Sequence, residues 1–272
     1  MKDLRTIVRE AAALLPMEHV ERQQVQAKDG LRNIVTEYDK KIQAQLTAQL
    51  QAAWPGAVFL GEEDLEQGGA ADAPCFVIDP IDGTTNFVND AHFSCISVAR
   101  LEKGETVEAA IYNPYLNEMF YARKGAGAWL NDRRLLIEDK PLGESIVGYT
   151  NCPYDPGLRD GTFAFGRYLF DRVLDFRRMG SSALEICYAA CGRYQLYCEL
   201  ILYPWDYLAA GLIVTEAGGI ITDLEGGALR SDCRCAVAAG CPTAHRELLQ
   251  VYADFVRETG FVPNADRALF KK

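Results

Sequence analysis

Apolar residues recur at helical spacing over 3–15, where Leu4, Ile7, Val8, Ala11, Leu14 and Leu15 line one face. Pro16 ends that helix. A second helix is predicted from about 39 to 53, with Ile42, Leu46 and Leu50 on one side and the breaker "WPG" after it. "AVFL" (57–60) then reads as a short buried strand that delivers Gly61, Glu62, Glu63 and Asp64 at its end. A small, polar stretch over 67–74 is a loop, and "CFVI" (75–78) is the next buried strand.

From 93 to about 136 the period changes to two. "SCISVARL", "VEAAIYN", "EMFYARK" and "AWLN" are separated by Lys103-Gly104, Asn113-Pro114, Gly125 and Asn131-Asp132, which predicts an antiparallel meander. The remainder alternates. Strands are expected at 145–150, in "VLDFRRM", and at 194–200, "IITD" and "CAVAAG". Helices are expected at 158–173, from Ser182 to Gly192, from Asp206 to Ala217, and from Pro242 to about Val256. Ser182-x-x-Glu185 has the form of a capping box. Strands and helices alternating in this way make layers. The boundary between the halves falls at 137–145, giving an α+β part over about 1–140 and an α/β part over about 141–272 within one domain.

Composition narrows the function classes. A chain of 272 residues that is 49% hydrophobic can bury a large core. The net charge of −10 argues against a nucleic-acid surface. The longest apolar stretch, 212–221, is interrupted by Thr215, Glu216 and two glycines and is too short to span a membrane. The N-terminus lacks the apolar core of a signal peptide, so a cytoplasmic location is the expectation. Nine cysteines, an odd number scattered through apolar runs, read as reduced small hydrophobes. Cys233, Cys235 and Cys241 lack the spacing of a zinc site.

The candidate chemistry lies in carboxylates at element boundaries. Glu62 follows the strand 57–60, Asp79 and Asp82 follow 75–78, and Asp206 opens a helix. Ligands collect at strand ends in layered α/β folds. Each group alone has a plainer reading. Asp79 and Asp82 suit a turn, Glu62-Glu63-Asp64 a solvated loop, and Asp206 the first turn of a helix. Together they would repel strongly unless cations sat between them, and oxygen donors without His or Cys favour magnesium or manganese. Pro80 is expected to force a sharp turn that aims Asp79, Asp82 and the Ile81 carbonyl at one point. Gly83 permits close backbone approach, and Thr84 places a hydroxyl beside the carboxylates.

The strings "GEED" (61–64), "DPIDGTTNF" (79–87) and "WDYLAAGLIVTEAGG" (205–219) resemble the inositol monophosphatase family of magnesium-dependent phosphatases over nearly the whole chain. The resemblance implies a five-layer αβαβα sandwich. It implies two or three Mg2+ per site, lithium sensitivity and a homodimer. By this resemblance, Glu62 binds the first metal and helps activate the attacking water, and Asp79 is shared by two metals with the Ile81 carbonyl as a backbone ligand. Asp82 and Asp206 are similar to the ligands of the second metal. Thr84 orients the water, and Gly83 with Thr84 cradles the phosphate. Asp39 stands where the family has an outer aspartate near a third metal, and Lys28 where it often has a lysine on a loop. Gly180, Ser181 and Ser182 match the substrate-lining loop, and Glu199 the carboxylate that meets ring hydroxyls. Tyr203 replaces a histidine common in animal relatives.

The implied function is hydrolysis of an inositol, polyol or sugar monophosphate by metal-activated water. Fructose-1,6-bisphosphatase and nucleotide-bisphosphate phosphatase of the same superfamily are the nearest alternatives. A non-catalytic regulator that keeps the fold is a distant one.

Overall fold

The computed structural model describes residues 2–16, 25–29, 33–63, 73–151, 155 and 157–261. Asp64, Phe270 and the Lys271-Lys272 tail therefore lie outside the described residues. Helix α1 (Leu4–Ala12) is followed by a two-stranded ribbon, β1 (Val25–Asp29) and β2 (Asn33–Thr36), and by α2 (Glu37–Ala53). Lys28 falls on β1, and its side chain is outside what is described. β3 (Val58–Gly61), β4 (Cys75–Asp82), the one-turn α3 (Thr84–Val88), β5 (Cys95–Glu102), β6 (Glu105–Asn113), β7 (Glu118–Arg123), β8 (Gly127–Leu130) and β9 (Arg133–Arg134) come next. These seven strands form one sheet in sequential order, antiparallel except for the parallel pair β3–β4. The predicted meander is the β5–β8 part of this sheet.

The chain continues through β10 (Ile146–Thr150), α4 (Arg159–Phe170), β11 (Asp175–Arg177), α5 (Ser182–Ala190), β12 (Leu196–Leu202), α6 (Pro204–Glu216), β13 (Ile220–Thr222), β14 (Cys235–Gly240) and α7 (Pro242–Thr259). The second sheet has the order β11-β10-β12-β14-β13. β12 pairs parallel with β10 and antiparallel with β14.

Five layers follow from how the faces are covered. α1 and α2 lie on one face of the large sheet, α5 and α6 fill the space between the two sheets, and α4 and α7 cover the far face of the small one. Both faces of each sheet are buried, so β5 is buried at every residue but the last. Period two sorts its side chains. Ile96 and Val98 enter the core under α1 and α2, while Cys95, Ala99 and Leu101 enter the core under α5 and α6. Each fully buried side chain of the Phe76 or Leu46 kind contributes on the order of 2 kcal/mol.

Two local expectations are corrected. Ser182 does not cap α5: Ser181 is the N-cap residue, with no side-chain cap bond, and the Ser182 hydroxyl donates to Glu199 instead. Helix α2 starts at Glu37, earlier than its apolar period suggests. Its capping box is formed by Thr36 and Asp39, whose carboxylate takes the Thr36 amide at 2.7 Å and hydroxyl at 2.6 Å.

Candidate active site

The strand β4 carries the site further than its apolar residues indicate. It does not end in a turn at Pro80 but runs on to Asp82, with an irregular register between Asp79, opposite Ser97, and Asp82, opposite Cys95. Three residues of β4 advance against two of β5, which is a bulge. Pro80 has no amide hydrogen for the ladder, so the bulge costs little there. Its effect is geometric. Val77 points toward α5 and α6, and alternation puts Asp79 on the same face. Without the bulge Asp82 would face the opposite way. The extra residue resets the alternation, so that Ile81 enters the α1 and α2 core and Asp82 returns to the face of Asp79.

Helix α6 supplies the third group. Pro204 starts it, and Asp206 reaches back to accept the Tyr203 amide at 2.8 Å. The Ser97 hydroxyl donates to the Trp205 carbonyl at 3.3 Å, which ties the start of α6 to the sheet opposite Asp79. As a result one oxygen from each of Asp79, Asp82 and Asp206 lies within 4.8 Å of the others.

The electrostatics match this crowding. Burial holds Asp79 well above the ordinary carboxylate range, and the charges of Glu62, Asp82 and Asp206 push it further. Asp206 is raised by loss of solvent and then by Asp82. Asp82 is pushed up to about 6 by burial, opposed by its hydrogen bonds. Those come from the Ser181 hydroxyl at 2.5 Å and the amides of Ala183 at 2.8 Å and Ser182 at 3.3 Å. Glu62 leaves β3 just beyond Gly61 and stands outside the close trio, yet it is the strongest single charge acting on Asp79. Asp39 is buried and pushed up to about 7, by burial first and then by Glu63 and Glu62. Its second oxygen, Oδ1, has no hydrogen-bond partner among the described residues.

Gly83, at φ +89°, turns the chain out of β4. Thr84 begins α3, and its hydroxyl donates to the Ile81 carbonyl at 3.0 Å. Across from it, Glu199 is buried on β12 and pushed up to about 7 by burial. It accepts from the Tyr197 hydroxyl at 2.5 Å and from Ser182 at 3.1 Å. Tyr203 stacks on Trp205 with ring centroids 4.7 Å apart. Gly180, Ser181 and Ser182 lie in the turn that joins the Asp82 and Glu199 ends.

Sequence reasoning missed several supporting groups. Asn86 clamps two segments by donating to the Phe93 carbonyl at 2.8 Å and the Met179 carbonyl at 2.6 Å. It sat in plain view inside "GTTNF". Tyr197 was legible too, since a residue two before Glu199 on a strand shares its face. Ser97 gave no sign, because its partner lies 108 positions away.

The donor set fits a hard divalent cation. It is all oxygen, it is anionic, and its members repel one another, with no basic side chain among the described residues that hydrogen-bond to the trio.

Comparison with known proteins agrees. The profile of the inositol monophosphatase family matches residues 2–258. The chain belongs to that family.

The inositol-1-monophosphatase of Rhizobium meliloti is 39% identical over 200 residues, covering 73% of this chain and 75% of its own. The inositol monophosphatase of Dictyostelium discoideum is 34% identical over 89% of this chain and 90% of its own. The Nus factor SuhB of Escherichia coli is 36% identical over 74% of this chain and 76% of its own. Among solved structures, the Thermotoga maritima IMPase superposes with a TM-score of 0.83 at 30% identity, covering 93% of this chain and 96% of that one. The fold is therefore the inositol monophosphatase fold, and the chain is a phosphoric monoester hydrolase.

Proposed function

We propose that this member of the inositol monophosphatase family releases phosphate from inositol monophosphate or a related polyol phosphate, with Mg2+ as its cofactor. The observation that carries the reading is the convergence of Asp79, Asp82 and Asp206 within 4.8 Å, with Glu62 beside them. Divalent cations held there supply positive charge for the phosphate and acidity for the attacking water.

The chain's own residues do the rest. The Thr84 hydroxyl donates a hydrogen bond to the Ile81 carbonyl, so its lone pairs are left to accept from a water and orient it. Glu62, at the end of β3, takes part in holding that water and accepting its proton. The backbone of Gly83 and Thr84 receives the phosphate. Glu199, with Ser182 beside it, accepts hydroxyls of the polyol. Positioning and charge neutralisation carry such a reaction without a covalent enzyme intermediate.

The family reading extends to a third cation near Asp39, to lithium sensitivity, and to a cytoplasmic homodimer. No described helix is long and apolar enough to cross a membrane. Retention of every carboxylate and of Thr84 supports catalysis over a purely regulatory role of the kind that the Nus factor relatives' names suggest.

The experiment is phosphate release from inositol monophosphate, glycerol phosphate, fructose bisphosphate and a nucleotide phosphate, with and without Mg2+. Release from the inositol ester that needs Mg2+ is the expected result. No release at any Mg2+ concentration would overturn the reading, and a strong preference for the nucleotide would replace its substrate.

A further inference from the structure

Glu185 is a buried acid on α5 that the proposed chemistry does not use. Its Oε2 accepts the Gly180 amide at 3.0 Å, while Oε1 has no hydrogen-bond partner among the described residues. Burial pushes it up to about 8. A buried carboxyl costs free energy that an apolar residue would not, so its presence calls for a positional reason.

The neighbourhood is built around this group. Gly148 on β10 leaves space above it: a Cβ there would fall 3.2 Å from Glu185 Oε1 and 2.9 Å from the Tyr197 ring. Gly180, at φ +84°, turns its amide down onto the carboxyl. The other side of the same turn delivers the Ser181 hydroxyl and the Ser182 and Ala183 amides to Asp82, and the Ser182 hydroxyl to Glu199. Asn86 holds the turn from outside, through the Met179 carbonyl. One short turn thus joins the metal end of the site to its polyol end, and Glu185 is the side chain that grips it from below.

We propose that Glu185 is a positioning residue that fixes the 180–183 turn through the Gly180 amide and so sets the placement of Ser182 and Glu199 against the polyol relative to Asp82. The inference rests on the reading of the site as a metal-dependent polyol phosphatase and deepens it. The role requires an acceptor at Oε2 and not a negative charge, so a glutamine fills it and an alanine does not.

The test compares Glu185→Ala, Glu185→Asp and Glu185→Gln with the wild-type protein. KM and kcat are measured for inositol monophosphate and for p-nitrophenyl phosphate, whose leaving group has no polyol hydroxyls. Mn2+ binding is titrated by electron paramagnetic resonance, without substrate. Glu185→Ala is expected to raise KM for inositol monophosphate about tenfold, with a much smaller rise for the nitrophenyl ester, and to weaken Mn2+ binding by several-fold, the scale of lost support behind a metal ligand. Glu185→Gln restores both. Should Glu185→Ala fail to fold, Glu185→Asp, too short to reach the amide, carries the same expectation. Unchanged KM and Mn2+ binding overturn the inference, as do equal KM rises for the two esters, which mark general damage. A wild-type protein inactive on both esters with Mg2+ would instead sink the parent reading, whatever the variants do.

Discussion

Asp79 is the residue on which most of the local electrostatics converge, since burial, Glu62, Asp82 and Asp206 all act on it. Asp79→Asn keeps its shape and removes one charge from the donor set. Turnover is expected to fall by at least about 100-fold, and activity within tenfold of wild type by phosphate release would contradict the shared-ligand role. Thr84 makes a sharper test, because its hydroxyl has one visible task, donation to the Ile81 carbonyl. Thr84→Ser retains that bond and is expected to stay near wild type. Thr84→Ala is expected to lose at least about tenfold in kcat, and steady-state kinetics that failed to separate the two variants would remove Thr84 from the mechanism. Glu62, Asp82 and Asp206 lie at or near element boundaries, as their motifs suggest, whereas Asp79 lies within β4 beside its bulge and Glu199 inside β12. What the residues did not reveal was their support: Tyr197 behind Glu199, Ser97 beneath Trp205, and Asn86 across two segments.

The bulge in β4 and the turn at Gly83 convert a buried strand into a site. Gly83 has two reasons to lack a side chain. Its φ is +89°, and a Cβ would meet the Phe93 carbonyl at 3.0 Å and the Gly180 carbonyl at 3.1 Å. Both contacts are backbone, so neither can swing away. Gly83→Ala is expected to destabilise the fold by about 1–3 kcal/mol and to depress activity more than stability explains. Urea denaturation showing no loss would mean that the two segments are free to separate there. The end of α6 was legible where glycine punctuates it, at Gly218, but its start lies at Pro204, two residues before the expected Asp206. Boundaries were misread where a polar residue kept a strand going. Asp79 and Asp82 look like the end of β4 because sequence hydrophobicity stops there, but the ladder with β5 continues beneath them.

For the whole molecule, the cost of the site is a cluster of acids in a shared low-dielectric space. Burial pushes Asp82 up to about 6, Asp39 and Glu199 to about 7, and Glu185 to about 8. Their folded values are higher than those of the unfolded chain, near 4. The folded protein therefore holds more protons on these groups in that window, so the stability they contribute is fully present at low pH and is lost as pH rises toward about 8. With a chelator present, the urea midpoint should be lower at about pH 8 than at about pH 5, and Mg2+ should shrink that difference by binding the native state. A midpoint that rose with pH in chelator would show that the acids are not in conflict.

The alternation of apolar and polar residues determined the strands and helices, because burial on one face or two leaves a period in the chain, and the five layers came from the family resemblance. The motifs pointed to the candidate chemistry, because oxygen donors in number favour a hard cation. Only the tertiary structure decided which groups meet. The seating of α6 on Ser97 and the turn that grips Asp82 depend on contacts between residues about 100 positions apart, and the parity of Asp82 depends on its register against β5. A local pattern carries no record of such distances, since any of those residues would look the same facing solvent.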